Sequence, residues 1–284
     1  MYFRRVKNLY NPAIHNSNEP FKLSRSKIEN FTRCPRCFYL DRRLGIDQPP
    51  MPSFTLNSAV DALLKKEFDI HRSAGTTHPL MKHYGIDAIP FAHQMMNEWR
   101  ENFVGIQFYH RPSNFILTGA VDDIWKDKDG NLMVVDYKAT SINGDIDWDS
   151  EWKQAYRRQL EIYQWLLRNL GHKVSDTGYF VYANGRKDKE AFDGKLEFKV
   201  EIFPYEGNGD WIEPIIMEAR KCLDGSLPPI NEKCEFCVYR KSAAEFEGVQ
   251  STSLNLNSEE QPKQKHLKSK SKSSKESSNL TLEI

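Results

Sequence analysis

Two Cys-x-x-Cys pairs, Cys34/Cys37 and Cys234/Cys237, stand near opposite ends of the foldable part of this 284-residue chain. If they share one site, the residues between them form a closed loop, and the fold must bring its first and last segments together. The opening residues, Met1-Tyr2-Phe3-Arg4-Arg5-Val6-Lys7, lack the apolar core and small-residue cleavage site of a secretory leader. No apolar run is long enough to span a bilayer. A cytoplasmic protein with no membrane partner is therefore expected, and there paired cysteines favour metal or redox use over structural disulfides. Their wide separation argues against a local zinc ribbon, whose pairs lie much closer together. Four thiolates suit either Zn2+ or an iron–sulfur cluster, with four ordinary free thiols as the alternative; the pattern does not choose. Cys222 falls inside a helical pattern and reads as simply buried.

A second feature lies mid-chain. Thr118-Gly119-Ala120-Val121-Asp122-Asp123-Ile124 and Val134-Val135-Asp136-Tyr137-Lys138 flank the Gly-containing turn Asp127-Lys128-Asp129-Gly130-Asn131. This predicts a β-hairpin over roughly 114–140, with Asp122 about opposite Asp136. Residues two apart share a strand face, so Asp136 and Lys138 point the same way. Charges on a Val- and Met-rich strand are costly unless paired or bound to a metal. Two acids and a lysine converging there have the form of a divalent-metal phosphodiesterase site; the alternative is a plain ion pair.

Around the hairpin the chain reads as mixed α/β with a small sheet. Residues 1–22 look like an irregular lead-in. Ser26-Lys27-Ile28-Glu29 has capping-box form and opens a helix, which leads into Cys34 to Leu40. A break at Pro49, Pro50 and Pro52 precedes a helix over 54–71 with Ala59, Leu63, Leu64 and Phe68 at helical spacing. Further helices are predicted over 91–104, 152–170 (ended by Gly171) and 211–223, with strands over 177–182 and 196–203. The folded domain is expected to span 23–247. Residues 248–284, rich in Ser and Lys, have almost nothing to bury and read as a disordered tail. The net charge of +1 gives no global pull toward nucleic acid. Binding it needs local clusters, for which Arg25, Lys27, Arg33, Arg36, Arg42, Arg43, Arg157 and Arg158 are candidates, although such clusters are more often solvated helix faces. Phe38 and Tyr39 either stack on bases or pack the wall of the cysteine site.

The ordered set Gly119-x-x-Asp122, Asp136-x-Lys138 and Gln159-x-x-x-Tyr163 resembles the PD-(D/E)XK nucleases, specifically their RecB-like exonuclease branch. That branch includes CRISPR-associated RecB-like nucleases and the nuclease domains of helicase–nuclease complexes. Ser24 to Tyr39 is similar to its N-terminal helix, and Cys234/Cys237 to its C-terminal cysteine cluster. The resemblance implies a restriction-endonuclease-like core, a small mixed sheet flanked by helices, plus N- and C-terminal cysteine segments. It implies a Mg2+- or Mn2+-dependent deoxyribonuclease acting on ends or single strands, in DNA repair or similar processing, with a helicase as a candidate partner. Asp122, Asp136 and the Tyr137 carbonyl would hold the metal, with Asp61 where the branch usually carries His. Lys138 would orient the attacking water and steady negative charge. Gln159 and Tyr163, one helical turn apart, would position the DNA strand or the lysine; without the resemblance they read as surface and core. A [4Fe–4S] cluster is implied at Cys34, Cys37, Cys234 and Cys237, although cluster-bearing relatives have one N-terminal and three C-terminal cysteines rather than two and two. The competing reading is a DNA-binding or assembly subunit that does not cut.

Overall fold

In the computed structural model, residues 8–16, 19–49, 54–144, 146 and 151–247 are described, apart from the side chains of 151 and 152. The sequence expectations for Pro50 and Pro52, most of 145–150 and the 248–284 tail fall outside that set. The chain divides into Met1–Lys241 and Ser242–Ile284; of the second unit only the end of one helix is described. The elements in order are α1 (Pro12–His15), β1 (Phe21–Ser24), α2 (Arg25–Arg33), α3 (Pro35–Leu44), α4 (Thr55–Ala74), α5 (Pro79–His83), β2 (Ala88–Pro90), α6 (Met96–Arg100) and β3 (Ile106–His110). After these come β4 (Phe115–Gly119), β5 (Asp123–Asp127), β6 (Leu132–Thr140), α7 (Glu151–Asn169), β7 (Thr177–Gly185), β8 (Phe198–Glu206), α8 (Ile212–Asp224) and α9 (Glu235–Phe246).

A five-stranded mixed sheet runs β2-β5-β6-β7-β8, with β6 and β7 parallel and the other neighbours antiparallel. The parallel pair needs a crossover, and α7 supplies it. The two faces of this sheet are read directly from alternation. On β6, Leu132 and Val134 pack with Leu160, Tyr163 and Leu167 of α7, whereas Met133, Val135 and Tyr137 pack with Leu64 and Phe68 of α4. Asp136 and Lys138 continue the α7-facing series. Both faces of β6 are covered, which explains its nearly unbroken apolar run.

The predicted hairpin is half right. β5 and β6 pair antiparallel with Asp123 opposite Val135, the register that sets Asp122 against Asp136. Thr118 and Gly119, however, end β4 in a separate sheet of order β1-β4-β3. Ala120 to Asp122 carry the chain across to β5. Gly119 is required where β4 meets α7, since a Cβ there would sit 2.5 Å from Tyr163 Cε1.

Other expectations need correction. The helix over 91–104 is only α6; Phe91 continues the β2–β5 pairing through its N–H to Ile124 O, and Phe103 is exposed. The capping box is not made. Helix α2 starts two residues early, at Arg25 with Ser24 as its N-cap, and Glu29 instead takes a two-pronged ion pair from Arg158 of α7, at 2.8 and 2.9 Å. On α4 the inward face is Leu64 and Phe68, while Ala59 and Leu63 face solvent. Within the expected irregular lead-in, Tyr10 is buried and its hydroxyl donates to Asp224 Oδ1 at 2.5 Å, so the described part of that segment contributes to the core. Helix α7 ends as read, with Gly171 at φ 87°.

Candidate active site

Strand β6 outruns β5. Their last pair is Asp123 with Val135, so from Asp136 to Thr140 β6 is paired only with β7. The exposed edge is where a cleft opens, lined by Asn57, Asp61 and Leu64 of α4, Asp122, Lys138 of β6, and Gln159 of α7. The unpaired backbone groups find side chains. Tyr137 donates its N–H to Asp122 Oδ2 at 2.9 Å, and Asn57 Nδ2 donates to Ala139 O at 3.0 Å. A strand residue's N–H and C=O point to the same edge, so the Tyr137 carbonyl also faces this cleft.

The charged groups form a chain across it. Lys65 Nζ lies 2.9 Å from Asp61 Oδ2 and 3.3 Å from Asp122 Oδ1. Lys138 Nζ contacts Asp136 Oδ2 and lies 4.6 Å over the Tyr156 ring. Gln159 Nε2 donates to Asp136 Oδ1 at 2.8 Å and to the Tyr163 hydroxyl at 3.1 Å. Asp136 is fully buried, and that burial pushes its carboxyl up to about 7, with Asp122 adding to the rise and the Lys138 ammonium opposing it. Burial also weakens the Lys138 ammonium, but the charges of Asp136 and Asp122 outweigh it and hold its pKa above the ordinary lysine value. Asp61 is raised by burial and by Asp122.

All the predicted hairpin-site residues therefore line or adjoin one cleft: Asp61, Asp122, Asp136, Tyr137, Lys138, Gln159 and Tyr163. One detail differs, since Gln159 holds Asp136 rather than the lysine. The donors are hard oxygens of the kind Mg2+ and Mn2+ take, so the residues fit such an ion by chemistry. Lys65 and Lys138 already hold the positive charge that these crowded acids require, and a divalent ion has to displace or share with them.

Sequence reading missed Lys65, Tyr156 and a buried network behind the site. Asp123 is fully buried and accepts from Arg72, from Arg100 Nη2 at 3.0 Å and from the Tyr137 hydroxyl at 2.7 Å. Asp69 takes the same two arginines, at 2.8 and 2.9 Å. This ties α4, α6, β5 and β6 together directly beside Asp122. The adjacency of two aspartates was the only hint: consecutive strand residues face opposite ways, so one of them had to be buried on the α4 side.

At the other centre, Cys34 Sγ lies 3.6 Å from Cys237, and Cys37 Sγ lies 3.7 Å from Cys234 and 3.8 Å from Cys237. The four sulfurs are all within 4.8 Å of one another, close enough to hold a metal ion. Phe38 is buried in the main core against Phe31 and Tyr39 is buried too, so neither offers a base-stacking face; Phe236 packs against the cysteines instead. Cys222 is only partly buried, and its thiol, pushed up to about 11 by burial, lies 3.8 Å from Pro35 O. Direct bonds join the same ends: Arg36 Nη1 to Pro228 O at 2.6 Å and Tyr39 hydroxyl to Gly225 O at 3.3 Å.

The cleft thus sets Asp122, Asp136 and Lys138 at a sheet edge beside Gln159 and Tyr163 of α7. The family model of the PD-(D/E)XK nuclease superfamily matches residues 82–242, more than half of the chain. The chain belongs to that superfamily, whose members are nucleases that use divalent metals. The solved structure described as "Crystal structure of SSO0001" is similar at 17% identity and a TM-score of 0.41, covering 78% of this chain and 84% of that one. No curated protein matches significantly. No helix among the described residues is long and apolar enough to cross a membrane.

Proposed function

We propose that the chain is a deoxyribonuclease of the RecB-like branch, an exonuclease that hydrolyses phosphodiester bonds at Asp122, Asp136 and Lys138. The observation that carries this reading is the convergence of those three residues, with Gln159 and Tyr163, at the one stretch of β6 left open on its β5 side. Asp61, Asp122, Asp136 and the Tyr137 carbonyl would hold Mg2+ or Mn2+, which supplies charge neutralisation at the phosphate and a more acidic water. Gln159 fixes the Asp136 carboxylate through its amide. Lys138 presents its ammonium toward the developing negative charge and orients the water. Tyr163 buttresses Gln159, and the Arg72–Asp123–Tyr137 network holds Asp122 in register. Residues 23–247 act as the nuclease domain, with 248–284 as a solubilising tail, in a cytoplasmic protein engaged in DNA repair or processing alongside a helicase.

The cysteine centre is read as a structural metal site. A tetrahedral ion with metal–sulfur bonds of about 2.3 Å sets sulfurs about 3.8 Å apart, which matches the observed contacts and favours a single ion such as Zn2+. In a [4Fe–4S] cluster each cysteine sits on its own iron, and the sulfurs stand wider. Metal analysis and the visible spectrum of purified protein decide between them: colourless with one zinc per chain supports this assignment, whereas brown with iron and sulfide replaces it.

The function is tested by cleavage of end-labelled single- and double-stranded DNA with Mg2+ or Mn2+, comparing wild type with Asp136→Ala. Metal-dependent cutting by wild type alone is the expected result, with a ladder retreating from one end. Folded, metal-loaded protein that binds DNA but never cuts it would leave the non-cleaving binding or assembly subunit in its place.

A further inference from the structure

The basic residues of the N-terminal helices differ in what they touch. Lys27 and Arg42 both pair with Asp41. Arg36 donates to Pro228 O, and Arg43 to Tyr10 O. Arg158 is spent on Glu29. Arg33 is exposed to solvent. Arg25 is different: it is half-buried, and among the described residues no carboxylate lies within ion-pair distance of it. A guanidinium partly removed from water and left without an anion is a costly arrangement.

Its surroundings say what it is for. Arg25 lines a cavity of about 170 Å3 with Ser24, Ser26 and Asn102, on the far side of Asp122 from α4. Asp122 and Gln159 line both this cavity and the cleft described above, so the two meet at the proposed cutting centre. The charge of Arg25 is felt by the buried Asp136 and Tyr163. Asp136 and Asp122 are already faced by Lys138 and Lys65, so neither acid is a direct partner for it. The Ser24 and Ser26 hydroxyls lie 2.9 Å apart at the cavity, with Asn102 and Thr118 also on its lining.

We propose that Arg25, with Ser26 and Asn102 beside it, binds a phosphate of the nucleic-acid strand next to the one cut at Asp122, Asp136 and Lys138. The inference rests on the nuclease reading. The shared chemistry is a phosphate anion, either a bridging phosphodiester within the strand or a terminal phosphate. A strand passing over Asp122 would have one phosphate in each cavity, and Arg25 fixes how far the chain advances past the centre.

The test is binding of an internally labelled single-stranded oligonucleotide of about 12 nucleotides, followed by anisotropy with Ca2+ replacing Mg2+. Wild type is compared with Arg25→Gln and Arg25→Lys, each checked for an unchanged melting temperature. Arg25→Gln is expected to weaken binding roughly tenfold, the low end for a hydrogen bond to a charged group. It should also flatten the logarithmic salt dependence by about 0.7, the value of one phosphate contact on a single strand; Arg25→Lys should keep that slope. Oligonucleotides with 5′-phosphate, 3′-phosphate or two hydroxyl ends separate the sources. An equal loss on all three identifies a bridging phosphodiester, and a loss confined to one phosphorylated end identifies a terminal phosphate. Unchanged affinity and slope on all three, with wild type binding normally, overturn the role of Arg25 and leave the nuclease reading intact. A wild type that binds none of them overturns both.

Discussion

The cysteine centre and the carboxylate cleft make opposite uses of a concentrated set of ligands. Around Cys34, Cys37, Cys234 and Cys237 the sulfurs touch one another, no cationic side chain among the described residues is bonded to them, and three of the four residues are buried. Around Asp61, Asp122 and Asp136 the acids are separated by lysine ammoniums, and the site opens to solvent along an unpaired strand edge. Soft ligands in a closed tetrahedron suit a permanent structural ion, whereas hard ligands in an open cleft suit an ion that shares its coordination with water and substrate. The difference teaches that removing a ligand from the first site should cost stability, and removing one from the second should cost turnover.

The sharpest way to break that contrast is to exchange the readouts. Cys237→Ser should release the bound metal and lower stability on the order of several kcal/mol, seen as a fall in melting temperature. A variant that melts like wild type would remove the cysteine centre from the fold's support. Asp136→Asn should reduce cleavage roughly 10^3-fold; it keeps the bond to Gln159 but takes the carboxylate partner from Lys138, so its fall in melting temperature should be present but smaller than that of Cys237→Ser. Arg72→Met strips a buried partner from Asp123 and should cost about 3 kcal/mol, measured by denaturant titration; its effect on cleavage should follow through Asp122. Lys65→Met should strengthen Mn2+ binding to the cleft roughly tenfold, since it removes a competing unit charge from a partly screened site; calorimetric titration reads this.

The two sites also differ in pH dependence. The Asp136 pKa is raised to about 7 in the folded chain, so between the ordinary aspartate value and that point the folded state holds a proton that the unfolded state has lost. Stability of the metal-free protein should therefore rise as pH falls from above 7 toward 4, as far as this group is concerned, and Asp136→Asn should flatten that slope. Divalent-ion binding should move the other way and weaken below about pH 7. A slope that persists in Asp136→Asn would assign it to another group.

Much of this was legible in the chain itself because it lives in local pattern. The β5–β6 register follows from the turn at Asp127 to Asn131, where Asp127 accepts from the N–H of Asp129 and Asn131. Helix α7 follows from its apolar spacing. The parts not legible depend on what a residue meets far away. Short strands such as β1 and β3 exist only because β4 lies between them. Glu29 has the spacing of a helix cap, but Arg158 lies 129 residues away in sequence and takes it. Lys65 looks like one more charge on a solvated helix until Asp122 is brought beneath it. Asp123 is indistinguishable from Asp122 until the two arginines arrive from α4 and α6.

The distance along the chain between Cys37 and Cys237 has a consequence for biosynthesis. Two hundred residues separate them, so at roughly 5–20 residues per second the first pair waits tens of seconds for the second. During that interval Cys34 and Cys37 stand without the second pair, while Asp61, Asp122 and Asp136 emerge after them. The four-sulfur centre can therefore close only after nearly all of the described chain has been made, long after the cleft residues are in place in the sequence.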